Sequence, residues 1–457
     1  MRLRTTALLT TTLTAAALVP LASPTTATAA PSAPAKFGDD FNGDGYRDYA
    51  TAEYGESKGG AVRVTFGTPS GPGREYQIIH QGSPGIPGAD ETGDRWGEEV
   101  RVAADFNRDG YGDLAVAAPT ERVGRDSNQG GATVLWGSPD GLSRGTAIPN
   151  KAPKAHHWFG SDLATGDFNG DGTPDLAAVN GRSVHVYTGG ISPSGVGRSV
   201  VRLTKGNRFT PQTLIAGRVT KDAATDLVIA GEGVTASAER SDAWFIKGGS
   251  TLRPGSTLRV SPYSPSDTEG VVADFDKDGY GDIAVSAPQD SRHSRSAGAV
   301  TVWRGGSSGP GSATRLTQAT SGIAGTPEKS DWFGSDISAG DVNGDGYQDL
   351  AIGVRGETVD GKAKAGGVHV LRGGRGGLKG TGSQWFARNT RGVPGALTEW
   401  DVFGRTVRLR DTDRDGYADL YVNGDQDDVR LLGSPSGVTT TGARSLGRDD
   451  LTSGILQ

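Results

Sequence analysis

The chain has 457 residues, with 47 basic against 53 acidic side chains, a formal charge of -6 and no cysteine. That balance excludes a protein that lives on phosphate contacts to nucleic acid, and the missing cysteine excludes a disulfide framework. Glycine, at 73 residues, is about twice its usual ~7% share, which suits many short strands joined by many turns.

Residues 1–30 carry Arg2 and Arg4, an apolar run over 7–22 and an Ala27-x-Ala29 processing signal. This is the pattern of a secretory signal peptide, cut near Ala29 or Ala30. Threonines and Pro20 interrupt the run, and it is short of the ~20 apolar residues of a membrane span. The expected product is a secreted, extracellular monomer in which residues 31–457 form one domain. Without disulfides, an exported chain of this size needs another brace.

Next comes DFNGDGYRD at 40–48, which opens a repeat. It returns as DFNRDGYGD at 105–113, DFNGDGTPD at 167–175, DFDKDGYGD at 274–282, DVNGDGYQD at 341–349 and DTDRDGYAD at 411–419. A seventh, eroded copy, RVTKDAATD, stands at 218–226. Steps of 51 to 70 residues between starts account for nearly the whole chain after the leader.

Each unit has the same order. An aromatic-Gly step (Trp96-Gly97, Trp158-Phe159-Gly160, Trp332-Phe333-Gly334, Phe403-Gly404) precedes the acidic loop. A run of small apolar residues follows, such as LAVAA at 114–118 or LAIGV at 350–354, as in a strand buried on both faces. A second, alternating strand such as AVTVW at 299–303 then ends at glycine. Four short antiparallel strands per unit and seven units predict an all-β, seven-bladed β-propeller. No stretch repeats its apolar residues at helical spacing. Solenoid repeats are shorter, and an open array would expose edge strands.

The Phe-Gly step, the DxNxDGYxD loop and the Ala-Pro or glycine-rich strand ends together resemble the FG-GAP repeats of the integrin alpha N-terminal propeller and its secreted bacterial relatives. The resemblance covers roughly residues 36–440. It implies seven blades, with each acidic loop joining the first and second strands of its blade.

One aspartate-rich turn can be explained by backbone preference alone, but six copies with Asp or Asn at positions 1, 3, 5 and 9 and Gly at position 6 cannot. Carboxylates packed so closely repel unless a cation sits among them. The expected metal residues are Asp40, Asn42, Asp44, Tyr46 and Asp48; Asp105, Asn107, Asp109, Tyr111 and Asp113; Asp167, Asn169, Asp171, Thr173 and Asp175. The later loops supply Asp274, Asp276, Asp278, Tyr280 and Asp282; Asp341, Asn343, Asp345, Tyr347 and Asp349; Asp411, Asp413, Asp415, Tyr417 and Asp419. Position 7 contributes a backbone carbonyl. An all-oxygen set of this spacing points to Ca²⁺, in about six sites; magnesium demands tighter octahedral geometry, and transition metals want His or Cys. The loops at 274 and 411 hold four carboxylates and are expected to bind most tightly. In the eroded copy, Arg218 either places a guanidinium where the ion would be or is simply solvated.

Other motifs carry less. Gly305 to Gly309 match the G-x-S-x-G nucleophile elbow, but GTPSG at 67–71 and GSPSG at 433–437 show it to be a repeated strand-end turn. His156 and His157 are neighbours, which a strand points to opposite faces. Trp96, Trp158, Trp332 and Phe403 recur at one place in the repeat and are expected to pack between blades rather than stack on sugars. The variable loops opposite the acidic ones carry Arg125, Arg240, Arg292, Arg295, Lys362 and Lys364, a basic bias suited to an anionic glycan or cell-surface partner. The sequence reads as an extracellular, non-catalytic recognition module of the integrin-like adhesion kind. A propeller enzyme acting on polysaccharide, lyase or glycosidase, and a purely structural shell protein are the alternatives.

Overall fold

The computed structural model describes residues 34–456 apart from 99–100, 125–127, 153–156, 207, 235–238, 264–266 and 448–450. The expected signal peptide (1–30), Arg125 and His156 lie outside the described residues. Among those described there is no α-helix, only a 3-10 turn at Leu451–Gly454, and no helix long and apolar enough to cross a membrane.

The expected seven blades are present, each an antiparallel sheet whose strands follow chain order. Blade 2 is representative: Arg101–Ala104 runs along the central channel, Asp113–Ala118 and Gly131–Trp136 follow outward, and Ser143–Ala147 forms the rim. The acidic loop 105–112 joins the first two strands, as the resemblance implies. Second strands such as Asp113–Ala118, Asp282–Ala287 and Asp349–Val354 are buried at every position. Blade faces pack on blade faces, so both sides of these strands meet apolar neighbours. Alanine and glycine there let adjacent sheets approach.

The aromatic-Gly step is a lock between blades. Phe333 N donates to the Ala297 carbonyl at 2.9 Å, and Phe403 N to that of Ala365 at 3.1 Å. The glycine that follows in each earlier blade must lack a side chain: a Cβ at Gly298 or Gly366 would lie 2.2 Å from the Phe333 or Phe403 carbonyl oxygen. Trp96, Phe159, Phe333 and Phe403 are buried. Trp158 and Trp332, expected to pack in the same way, do not. They precede the locking residue, have positive φ and turn outward, leaving Trp158 54% exposed and Trp332 half-buried.

Ring closure departs from the repeat. Six interfaces hold broad apolar clusters, such as Val342, Val368, Leu409 and Leu420 between blades 6 and 7. Between blades 7 and 1, among the described residues, the cluster is only Tyr49, Tyr421 and Ile455, with Leu446 half-buried. Blade 1 has three strands, Tyr49–Glu53, Ala61–Thr68 and Gly71–His80. The chain end fills the inner position instead. Gly454 lies against Ala50 and Thr51, Thr452 N donates to Asp428, and Arg408 and Arg410 donate to the carbonyls of Ile455 and Leu456. Arg430, 1% exposed, pairs with Asp419 and Asp413 of its own blade and reaches across the seam to the Ser70 carbonyl of blade 1, as Arg444 also does.

Candidate metal loops and the opposite face

The acidic loops share one wiring. In the first, Asp40 accepts from Gly45 N at 2.9 Å, Asn42 Oδ1 from Asp44 N at 3.0 Å and Asp44 from Tyr46 N at 2.8 Å. Asp105 with Gly110, Asp167 with Gly172, Asp274 with Gly279, Asp341 with Gly346 and Asp411 with Gly416 repeat the first of these bonds. Each turn is thus folded around its position 1 carboxylate. The glycine at position 6 has positive φ, for example 90° at Gly45 and 93° at Gly110, which other residues adopt only with strain.

Position 9 has a separate task. Asp48 accepts from Phe41 N and Gly67 N, both at 2.8 Å, so it ties the loop to the end of strand Ala61–Thr68. Asp113 does the same with Phe106 and Gly137, Asp282 with Phe275 and Gly305, and Asp349 with Val342 and Gly373. Burial pushes the carboxyls of Asp48 and Asp113 up to about 8, Asp175 to about 7, and Asp282, Asp349 and Asp419 to about 6. The eroded blade keeps the clamp: Asp226 accepts from Thr220 N, Thr220 Oγ1 and Gly248 N.

The two all-carboxylate loops gather Asp274, Asp276 and Asp278, and Asp411, Asp413 and Asp415, with one oxygen of each within 4.8 Å of the others. Each extra carboxylate is matched by an arginine. Arg304 reaches Asp276 at 2.6 Å and Arg430 bonds Asp413. The added negative charge, on which the expectation of tightest binding rested, is neutralised inside the protein. In the eroded loop Arg218 donates to the Asp222 carbonyl at 2.9 Å and Lys247 pairs with the Asp222 side chain at 3.0 Å. Blade 4 therefore carries its own cations.

Position 7 is more than a backbone carbonyl. Lys277, at position 4 of its loop, lies 5.4 Å from the Tyr347 ring of the next blade and donates to the Asp345 carbonyl at 2.9 Å. Lys221 does likewise with Tyr280 and Asp278, and Arg414 lies 5.0 Å from the Tyr46 ring. Where position 4 is Gly43 or Gly344, the next tyrosine ring itself fills the space, 2.8 Å from where a Cβ would stand. Loop touches loop along this face.

The donor set fits a hard divalent cation. All side-chain donors are oxygens, and Asp40 Oδ1 and Asp276 Oδ1 are buried with no hydrogen-bond partner among the described residues, a costly state for a carboxylate that a cation relieves.

On the opposite face lie the strand connections. Trp400 is 59% exposed and Trp158 54%. The Lys364 ammonium stands 4.0 Å from the Trp400 ring and 5.1 Å from that of Trp332, with the Arg355 guanidinium 5.0 Å from Trp332. The predicted basic residues do not form one patch. Arg292, Arg295 and Lys362 are exposed in the loops of their own blades, Arg240 pairs with Asp242, and Lys364 alone joins the aromatic group. The turn at 305–309, which mimics a nucleophile elbow, closes with Gly309 N on the Gly306 carbonyl and follows strand Ala299–Trp303 on the acidic-loop face.

This architecture defines a seven-bladed propeller. The FG-GAP repeat profile matches residues 268–303 and 333–371, and an FG-GAP-like repeat profile matches 105–178. The chain is similar to phosphatidylinositol-glycan-specific phospholipase D of Bos taurus, 32% identical over 30% of this chain and 17% of that protein. It is also similar to integrin alpha-E of Mus musculus, 28% identical over 30% of this chain and 12% of that one. The chain thus spans under a fifth of either relative. A solved Agrocybe aegerita lectin that recognises non-reducing terminal N-acetylglucosamine shares the fold, at TM-score 0.51 and 15% identity over 89% of this chain and 92% of the lectin.

Proposed function

We propose that this protein is an extracellular, calcium-braced, non-catalytic recognition propeller that binds a glycan or other cell-surface ligand through the face opposite its acidic loops. The observation that carries the reading is the Trp332, Lys364 and Trp400 group. Large aromatic surface left in water is unfavourable for a monomer, and a ring flanked by a cation suits the apolar face and polar rim of a sugar. The likeness to integrin alpha-E and to a lectin propeller supports a binding role. The acidic loops lie on the other face and act as braces.

In the six intact loops the side chains at positions 1, 3 and 5, with the position 7 carbonyl and the position 9 carboxylate, would hold Ca²⁺. The bound ion supplies positive charge that cancels the repulsion among these oxygens and ties each loop to its blade. Binding only the folded state adds about 2.7 kcal/mol per site at a hundredfold excess over Kd. Two measurements test the reading. A glycan array probed in calcium should show saturable binding that Trp400→Ala weakens at least about tenfold. Thermal melts in EDTA should fall well below those in calcium. An unchanged melt removes the calcium brace, and glycan binding indifferent to Trp400 removes the assigned face.

A further inference from the structure

A second feature of the same face is a cleft of about 410 Å³ where blade 3 hands over to blade 4. Its floor is Asp242, 2% exposed, on the third strand of blade 4, Glu239–Lys247. Arg240 Nε donates to Asp242 Oδ2 at 2.7 Å, and Arg259 Nε, from the rim strand Arg253–Ser261, to Oδ1 at 2.9 Å. One carboxylate thereby holds two guanidiniums by their inner nitrogens, and the terminal nitrogens of both meet no protein acceptor among the described residues. Gly233 makes the arrangement possible, since a Cβ there would lie 2.4 Å from Asp242 Oδ2.

Two more cations come from the connection between the blades. Lys205 donates to Thr257 Oγ1 and stands 5.1 Å from the Phe209 ring and 5.5 Å from that of Trp244. Burial pushes its ammonium down to about 8, with Arg240 adding to the effect and Asp242 opposing it. Arg208 lines the cleft and is exposed, with no side-chain partner among the described residues. Four cations therefore face one anion on a chain whose formal charge is -6.

From this geometry we infer that the cleft binds a single oxyanion group, carboxylate or sulfate, carried on a saccharide-sized ligand. The inference rests on the reading of this face as the recognition face. Arginines fixed by Nε present their remaining N–H groups in a rigid fork that matches two oxygens of one anion. The charge is concentrated in one cleft, without the extended basic stripe that a long polyanion needs. An anion here also relieves the mutual repulsion of the four cations.

Calorimetric titration with sodium sulfate, glucuronate and glucose tests the assignment. Sulfate and glucuronate should bind saturably in the millimolar range, equally in calcium and in EDTA, and glucose should not bind. The two anions distinguish sulfate-ester from uronate ligands. Arg208→Gln and Lys205→Gln, which leave the Asp242 fork intact, should each weaken anion binding about tenfold without moving the melting temperature. Arg375→Gln, exposed on blade 6, should change nothing. The assignment is overturned if neither anion binds, if glucose binds as well as glucuronate, or if Arg208→Gln with Lys205→Gln leaves anion affinity intact. Steeply salt-dependent DNA binding that survives the double variant overturns it too. A failed glycan array with intact anion binding would remove the Trp400 reading and leave the cleft standing.

Discussion

His369 provides a direct test of how the blades pack. It lies on strand Gly367–Leu371, fully buried, with its ring 4.5 Å from Trp385 and 5.9 Å from Phe333 between centroids. Neither ring nitrogen has a hydrogen-bond partner among the described residues, and burial alone pushes the imidazole down to about 3. In the unfolded chain it titrates near 6.5. The folded state therefore refuses a proton that the unfolded state takes, so stability is full above about pH 6.5 and is lost as pH falls towards 3. At pH 5 the difference of about 1.5 pH units between the unfolded value and the solution corresponds to about 2 kcal/mol.

His369→Leu should abolish that loss, and at pH 7.5 it should leave stability equal or higher, because two unpaired buried nitrogens are removed. For a domain of this size 2 kcal/mol moves Tm by only about 2 °C, so urea titrations at pH 7.5, 6 and 5 are the better assay. Calcium is held constant. The buried position 9 carboxylates, whose pKa values are raised, give a slope of opposite sign, but they are common to both proteins and cancel in the difference. If variant and wild type lose the same stability between pH 7.5 and 5, His369 is not the buried neutral group described here.

The clamp role and the proposed calcium-brace role of the acidic loops separate by mutation. Asp226→Ala, in the blade with internal cations, strands three buried donors and should cost about 3 kcal/mol or more in calcium and in EDTA alike, whereas Asp40→Ala should destabilise chiefly in calcium. Differential scanning calorimetry in both buffers decides it, and a calcium-dependent effect at Asp226 contradicts the assignment. Arg430→Met leaves the buried Asp419 unpaired at the closing seam and should cost about 3–5 kcal/mol; denaturation with wild-type stability would show that the seam does not depend on this ion pair. Gly298→Ala drives a Cβ towards the Phe333 carbonyl at positive φ and should cost about 3 kcal/mol or more. Gly361→Ala, at positive φ but with open space around it, should cost only about 1–2 kcal/mol, so equal effects at the two positions would refute the blade lock.

The acidic loops, the strands after them and the number of blades were legible because the same local requirement recurs. A turn wrapped around one carboxylate needs Asp at its start and Gly at position 6 wherever it occurs. The double use of position 9 was not legible, since its partners, such as Gly67 for Asp48, are set by strand register. The tyrosine at position 7 recurs in most loops, but its ring acts on the neighbouring blade. Trp158 and Trp332 share the motif with buried residues, yet one position of offset and a left-handed backbone turn them outward.

The sequence by itself determined a cysteine-free, all-β chain of seven repeats with charge stored in one loop of each, because periodicity and turn chemistry are local. Tertiary structure decided what depends on residues far apart in the chain. The C-terminal residues complete blade 1. Arg304 and Arg430 cancel the extra charge of two loops, and Lys205, Arg208, Arg240 and Arg259 meet around Asp242. Each encounter is fixed by strand register or by the docking of neighbouring blades, which no local stretch of sequence encodes.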